Sequence, residues 1–231
     1  MKFGGIEKTS LLDFPGKVSC VLFLKGCNFH CPYCHNPQLL QTGAIPPILD
    51  DNQVFEFLKS RRGLLDAVVI SGGEPTIHGD LAELCAMIKE MDFSVKLDTN
   101  GSRPRVLKGL LKNELVDYFA MDVKTEPEAY SPILCQGLNP SELISSIDVI
   151  MERAPAYEFR TTCVRPMVNS ATMEKMAKTL KGATCYALQH FRNHNVLKPA
   201  LFTKKESAYT DRELVQLKSI AEPWVKRCVI R

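Results

Sequence analysis

No apolar stretch in the 231 residues approaches the roughly 18–20 needed to cross a bilayer as a helix, which excludes a helical membrane span. The most apolar candidate, Val18–Leu24, has the length of a buried strand. The opening residues Met1-Lys2-Phe3-Gly4-Gly5 lack the positive-then-apolar layout of a secretory signal. Charge of one sign is also missing. With 29 basic and 26 acidic residues the net charge is +3, and no basic stripe marks a nucleic-acid or membrane surface. There is no internal repeat and no low-complexity tract. At 45% apolar and 24% charged residues, the composition excludes a disordered tail, a coiled coil and a collagen-like fibre. The expectation is a cytoplasmic globular protein, one domain over residues 1–231.

Cysteine is present in quantity, nine in all, but the number is odd and the chain is long for a disulfide scaffold. Six of them, at positions 20, 85, 135, 163, 185 and 228, sit mostly in apolar runs and read as small buried hydrophobes. The other three crowd together, which points to metal or redox chemistry.

Short β-branched or apolar runs alternate with amphipathic stretches. Strands are expected at Val18–Leu24, Ala67–Ser71, Ser94–Thr99, Tyr118–Val123, Glu158–Val164 and Cys185–His190. Helices are expected at Asp51–Arg61, Asp80–Met91, Arg103–Asn113, Ser141–Arg153, Ala171–Leu180 and Asp211–Ile220, with caps at Asp80, Ser141 and Thr210 or Asp211. This alternation predicts right-handed βαβ units and a parallel sheet, either a six-unit open barrel or a doubly wound sheet. In both, ligands bind beyond the carboxyl ends of the strands. The stretch from Phe191 to Tyr209, with Pro199 and Lys204-Lys205-Glu206, breaks the rhythm and is expected to act as a lid or as a surface excursion.

Just after the first expected strand comes Cys27-x₃-Cys31-x₂-Cys34, within Gly26-Cys27-Asn28-Phe29-His30-Cys31-Pro32-Tyr33-Cys34-His35-Asn36-Pro37. Three thiolates on one tight loop can wrap one face of a metal centre. Structural zinc wants four ligands, and no second close pair of cysteines follows, although His30 or His35 could complete a site. An iron–sulfur cube normally takes four cysteines, so three would leave one iron open, as a catalytic site requires. The spacing favours the cluster over zinc.

The Cys-x₃-Cys-x-Tyr-Cys pattern resembles the signature of the radical S-adenosylmethionine superfamily. The context Cys34-His35-Asn36-Pro37, with Ser10-Leu11-Leu12-Asp13-Phe14-Pro15-Gly16 upstream, resembles the glycyl-radical-enzyme activases, in particular those of anaerobic ribonucleoside-triphosphate reductase. The resemblance implies a partial (β/α)₆ barrel in which Cys27, Cys31 and Cys34 hold one [4Fe–4S] cluster and S-adenosylmethionine chelates the fourth iron. It places Tyr33 and His35 of the loop at the cofactor.

Further motifs sit at strand ends. Ser71-Gly72-Gly73-Glu74-Pro75 reads alone as a strand-to-helix turn; the resemblance makes Gly72, Gly73 and Glu74 the element that meets the methionine amino group. Leu97-Asp98-Thr99-Asn100-Gly101 suits a turn, and the resemblance puts Asp98 and Thr99 near S-adenosylmethionine and a monovalent cation. Alternation puts Asp122 and Lys124 on one face, as a solvated ion pair or, by resemblance, as a grip on the cofactor's zwitterion and ribose. Arg160 pairs either with a substrate carboxylate or with Glu158. By resemblance His190 contacts S-adenosylmethionine. His78 and Trp224 read as structural. With no cysteine between Cys34 and Gly72, an inserted segment carrying extra clusters is not expected.

The implied activity is one-electron cleavage of S-adenosylmethionine to methionine and a 5′-deoxyadenosyl radical, which abstracts hydrogen from a glycine of a partner enzyme. A flavodoxin or ferredoxin would donate the electron. Two rivals stand beside it: a small-molecule radical enzyme like carboxy-deazaguanine synthase, and a structural zinc protein.

Overall fold

The computed structural model describes residues 1–40, 49–202 and 207–231. Eight strands form one sheet in chain order: β1 (Phe3–Ser10), β2 (Ser19–Leu24), β3 (Ala67–Gly72), β4 (Ser94–Thr99), β5 (Tyr118–Asp122), β6 (Tyr157–Cys163), β7 (Tyr186–His190) and β8 (Cys228–Ile230). β1 runs antiparallel to β2, and every later pairing is parallel. Between successive parallel strands lie α1 (Asp51–Ser60), α2 (Leu81–Glu90), α3 (Pro104–Lys112), α4 (Pro140–Arg153), α5 (Ser170–Thr179) and α6 (Asp211–Ala221). The strand order never reverses, so the sheet has no topological switch point. That rules out the doubly wound alternative and leaves a singly wound, open α/β sheet. Among the described residues no pairing joins β1 to β8.

All six expected strands and six expected helices form, within a residue or so at each end. The two additional strands lie at the sheet edges. Their absence from the sequence reading has a physical cause. β1 contains Gly4-Gly5 and the exposed Glu7 and Lys8, so it lacks an apolar alternation, and β8 is only three residues long. One expected cap moves, and Asp80 keeps the N-cap place without a side-chain cap bond. Asn139, not Ser141, caps α4 by accepting from the Ser141 backbone N–H. Asp80 makes no cap bond and instead pairs with the Met1 amino group at 3.1 Å. Thr210, rather than Asp211, caps α6, in a reciprocal box with Glu213.

Alternation along the strands sorts residues to two faces. Leu22, Ile70, Leu97, Phe119, Met121 and Phe159 belong to the main core, which also takes up the apolar stripes of the helices. Each such side chain contributes roughly 1.5–3 kcal/mol on burial. On the other face a small cluster of Phe14, Val21, Ala67 and Val69 fills the end where the parallel strands begin. Toward the strands' carboxyl ends that face turns polar, with Asp98, Asp122, Arg160, Thr162 and Gln189. The chemistry is concentrated there.

No described helix is long and apolar enough to cross a membrane. All nine cysteines are free, and the six outside the crowded loop are buried, as expected.

Candidate functional site

A cavity of about 300 Å³ opens beyond the carboxyl ends of the parallel strands. Its walls include Cys27, Cys31, Tyr33, Cys34 and His35 on one side, Gly72, Gly73 and Glu74 after β3, and Asp98 and Thr99 at the end of β4. Asp122, Lys124 and Arg160 from β5, its following residues and β6 complete it. Of the expected site residues only His190 is missing. It faces the helix side and lies 3.4 Å from Asp211 at the start of α6. Its neighbour Gln189 has the opposite parity and lines the cavity.

The cysteine loop is built by anchors at its two ends. Gly26 receives the Glu74 backbone N–H over 2.8 Å, and Gly73 donates to the Leu24 carbonyl over 2.8 Å. The two glycines are needed for this approach to the protein backbone, and not to a ligand alone. Gly72 has φ of +117°, and a Cβ there would lie 2.3 Å from the Leu24 nitrogen. A Cβ on Gly73 would lie 1.9 Å from the Gly26 oxygen. At the far end Leu197 and Lys198 donate to the carbonyls of Cys34 and Pro32 over 3.1 and 2.9 Å. The His35 ring sits 2.8 Å from the Arg192 carbonyl. Of the described parts of the expected lid, residues 191–202 therefore strap the cysteine loop and residues 207–209 bind the segment after β6, and neither contributes to the cavity wall. The Lys204-Lys205-Glu206 part lies outside the described residues.

Burial pushes the Cys27 thiol up to about 12 and the Cys31 thiol up to about 11. Both are therefore thiols at neutral pH, and taking up a metal centre would release their protons. Among the described residues no three His, Cys, Asp or Glu side chains are gathered as ligands of a single ion. His30 lies on the outer side of the loop, against Asn28 and Lys198, so it does not complete a set inside the cavity. What the loop offers is three free thiols along one wall of one cavity, a donor set that fits an iron–sulfur cube with one open corner.

Opposite the thiols is a charge network. Arg160 donates from Nε to Asp122 Oδ1 over 2.8 Å and lies 3.3 Å from Asp98 Oδ2. Lys124 Nζ is 3.3 Å from Asp122 Oδ2, and Lys96 Nζ is 2.5 Å from Asp98 Oδ1. The Arg160–Glu158 pair does not form, because Glu158 is bound by Arg231 at 2.8 Å. Burial raises the Asp122 carboxyl, but Arg160 and Lys124 outweigh it and hold the group at about 2. Asp98 is likewise lowered, burial being overcome by Arg160 and Lys96. Burial also works against the Lys124 ammonium, yet Asp122 keeps it charged. Both signs of charge are thus fixed on the wall, as a zwitterionic ligand requires.

Asn100, in the Asp98-Thr99-Asn100-Gly101 motif, is a site residue that the sequence pattern does not mark. It lines the cavity, donates its side-chain amide to Asn28 Oδ1 over 3.0 Å, and lies 4.0 Å from the Cys27 sulfur. Ser71, Thr162 and Gln189 also line the cavity. Thr162 was legible by parity with Arg160. His78 and Trp224 are structural: the His78 ring sits 2.8 Å from the Lys25 carbonyl, and Lys178 lies over Trp224.

Similarity to known proteins agrees with this site. The family model "Radical SAM superfamily" matches residues 21–181. A protein of Methanocaldococcus jannaschii, provisionally named a glycyl-radical enzyme activating enzyme, is 36% identical over 98% of this chain and 94% of its own. A 7-carboxy-7-deazaguanine synthase of Methanothermobacter thermautotrophicus is 28% identical over 64% of this chain and 57% of its own. Among solved structures, Streptococcus suis SuiB bound to precursor peptide SuiA shares the fold at a TM-score of 0.68 and 13% identity, covering 91% of this chain and 48% of that one. The match over most of the length, and the cysteine loop it contains, mean that the chain belongs to the radical SAM superfamily and is a radical SAM enzyme, whose cofactors are a [4Fe–4S] cluster and S-adenosylmethionine.

Proposed function

We propose that this protein is an activase that installs a glycyl radical on a partner enzyme, anaerobic ribonucleoside-triphosphate reductase, in the cytoplasm. The observation that carries the activase reading is the 36% identity to the M. jannaschii relative along nearly all of both chains. The choice of partner rests on the upstream Ser10-Leu11-Leu12-Asp13-Phe14-Pro15-Gly16 and the Cys34-His35-Asn36-Pro37 context.

In this reading Cys27, Cys31 and Cys34 hold the cluster, and the cluster with S-adenosylmethionine supplies the one-electron chemistry. Asp122, Lys124 and Arg160 orient the zwitterion through charge-assisted hydrogen bonds. Glu74 and Gly73 fix the turn beside the first cysteine, and Tyr33 and His35 close the loop side. No side chain is needed as a general base. A flavodoxin or ferredoxin supplies the electron. A monovalent cation at Asp98 and Thr99 would have to compete with Lys96 and Arg160 for the same carboxylate, which gives it little support.

The relatives with a small-molecule reaction provide the alternative, an activity like 7-carboxy-7-deazaguanine synthesis. Product analysis separates the two. Cluster-loaded, reduced protein should form 5′-deoxyadenosine in proportion to added reductase protein. Formation that follows a small-molecule substrate and ignores the reductase would favour the alternative.

A further inference from the structure

Three chain segments meet on the outer side of the cysteine loop. His30 donates its backbone N–H to Leu134 over 2.7 Å, while Leu197 and Lys198 hold the other half of the loop. Asn28, His30, Ile133, Gln136 and Lys198 line a depression of about 510 Å³ here that shares no wall residue with the cavity. The cysteine loop is the partition between the two.

The chemistry of this face is one-sided. Acidic residues number 26 in the chain, yet none occurs in residues 25–40, 130–138 or 191–202. Lys198, Arg192 and His30 are exposed, and neither Lys198 nor Arg192 enters an ion pair among the described residues. Two apolar side chains on the same segments also face solvent, Ile133 at 54% and Leu201 at 61% exposure. The two cations Lys198 and Arg192 and the exposed Ile133 and Leu201, on segments without a carboxylate, give the charge complementarity that steers association with an acidic protein.

Electron transfer through protein weakens steeply with distance, and Asn28 and His30 of this face alternate along the loop with Cys27, Phe29 and Cys31 of the cavity wall. We propose that the face centred on His30, Ile133 and Lys198 is the docking site of an acidic one-electron carrier protein. The proposal rests on the reading that the loop holds the cluster. The carrier is oxidised by one electron and the cluster is reduced by one. No bond forms or breaks, and no proton moves.

The test uses the full-length, cluster-loaded protein and reduced flavodoxin as the acidic carrier, with bleaching of the cluster absorbance followed by stopped flow. The wild-type second-order rate should fall as salt rises. Lys198→Glu combined with Arg192→Glu should lower the low-salt rate about tenfold or more and invert the salt dependence. Lys198→Ala and Ile133→Asp should each move it the same way by less, while reduction by dithionite stays unchanged in all. Calorimetric titration of the metal-free protein with oxidised flavodoxin should show the same order of weakening, which keeps docking testable if the cluster reading fails. Rates and affinities for flavodoxin that ignore all of these changes would overturn the proposal. So would variants that keep flavodoxin binding but lose glycyl-radical formation with dithionite, since the face would then belong to the protein substrate.

Discussion

The Asn100 backbone N–H donates to Oε2 of Glu74 over 2.6 Å, tying the end of β4 to the turn after β3. Glu74 is 1% exposed, and its other oxygen accepts from the Thr99 hydroxyl at 2.7 Å and from Thr76 through both hydroxyl and backbone. This carboxylate is the hub that holds two cavity loops together, more than it is a free counter-charge for a ligand. Glu74→Ala would leave several buried donors without an acceptor, each costing about 1–3 kcal/mol. Urea unfolding should show a loss of about 2–4 kcal/mol for Glu74→Ala and a smaller one for Glu74→Gln.

Cys27→Ala, Cys31→Ala and Cys34→Ala should each abolish the visible absorbance and iron content of anaerobically reconstituted protein. Cys20→Ala should leave both intact, because Cys20 is buried in the main core. Metal analysis reads the result, and zinc without iron or sulfide would replace the cluster with a structural site.

In the proposed reading Asp122 and Lys124, which line the cavity 3.3 Å apart, grip the zwitterionic cofactor. Charge-assisted hydrogen bonds are worth roughly 1.5–3 kcal/mol, so Asp122→Ala or Lys124→Ala should weaken S-adenosylmethionine binding about tenfold to a hundredfold, with iron content near normal. Equilibrium titration of the loaded protein gives the answer. Unchanged affinity in both would reduce the pair to an ion pair within the wall.

Acid stability should expose the same network. Arg160 and Lys124 hold Asp122 at about 2, below the ordinary value of about 3.9, so its contribution is fully present above that value. It is lost as the pH falls through about 2. The urea midpoint of wild type should therefore drop between about pH 4 and pH 2, and Asp122→Asn should start lower and show a shallower drop.

Much of this arrangement was legible in the sequence. The six βα units announce themselves because parallel strands are buried on both faces and their helices are amphipathic. Strand-end motifs fall at the cavity because the topology sends every parallel strand the same way. β1 escaped because an edge strand needs no apolar alternation, and β8 because three residues carry no period. Gln189 in place of His190 is a matter of parity, which depends on where the strand begins. Asn100 acts through contacts with Asn28 and Glu74, residues 72 and 26 positions away, and no local pattern encodes such a meeting. The strapping of the cysteine loop by residues 191–202 was hidden for the same reason, since it rests on backbone hydrogen bonds that any side chain permits.

The most direct test of the account is electron paramagnetic resonance of a mixture of the reduced, cluster-loaded protein, S-adenosylmethionine and an anaerobic ribonucleotide reductase. A persistent glycyl-radical doublet should appear, and it should vanish when the reductase's radical-site glycine is changed to alanine. Cleavage of S-adenosylmethionine without a doublet on this reductase or on any other glycyl-radical enzyme tested would contradict the account.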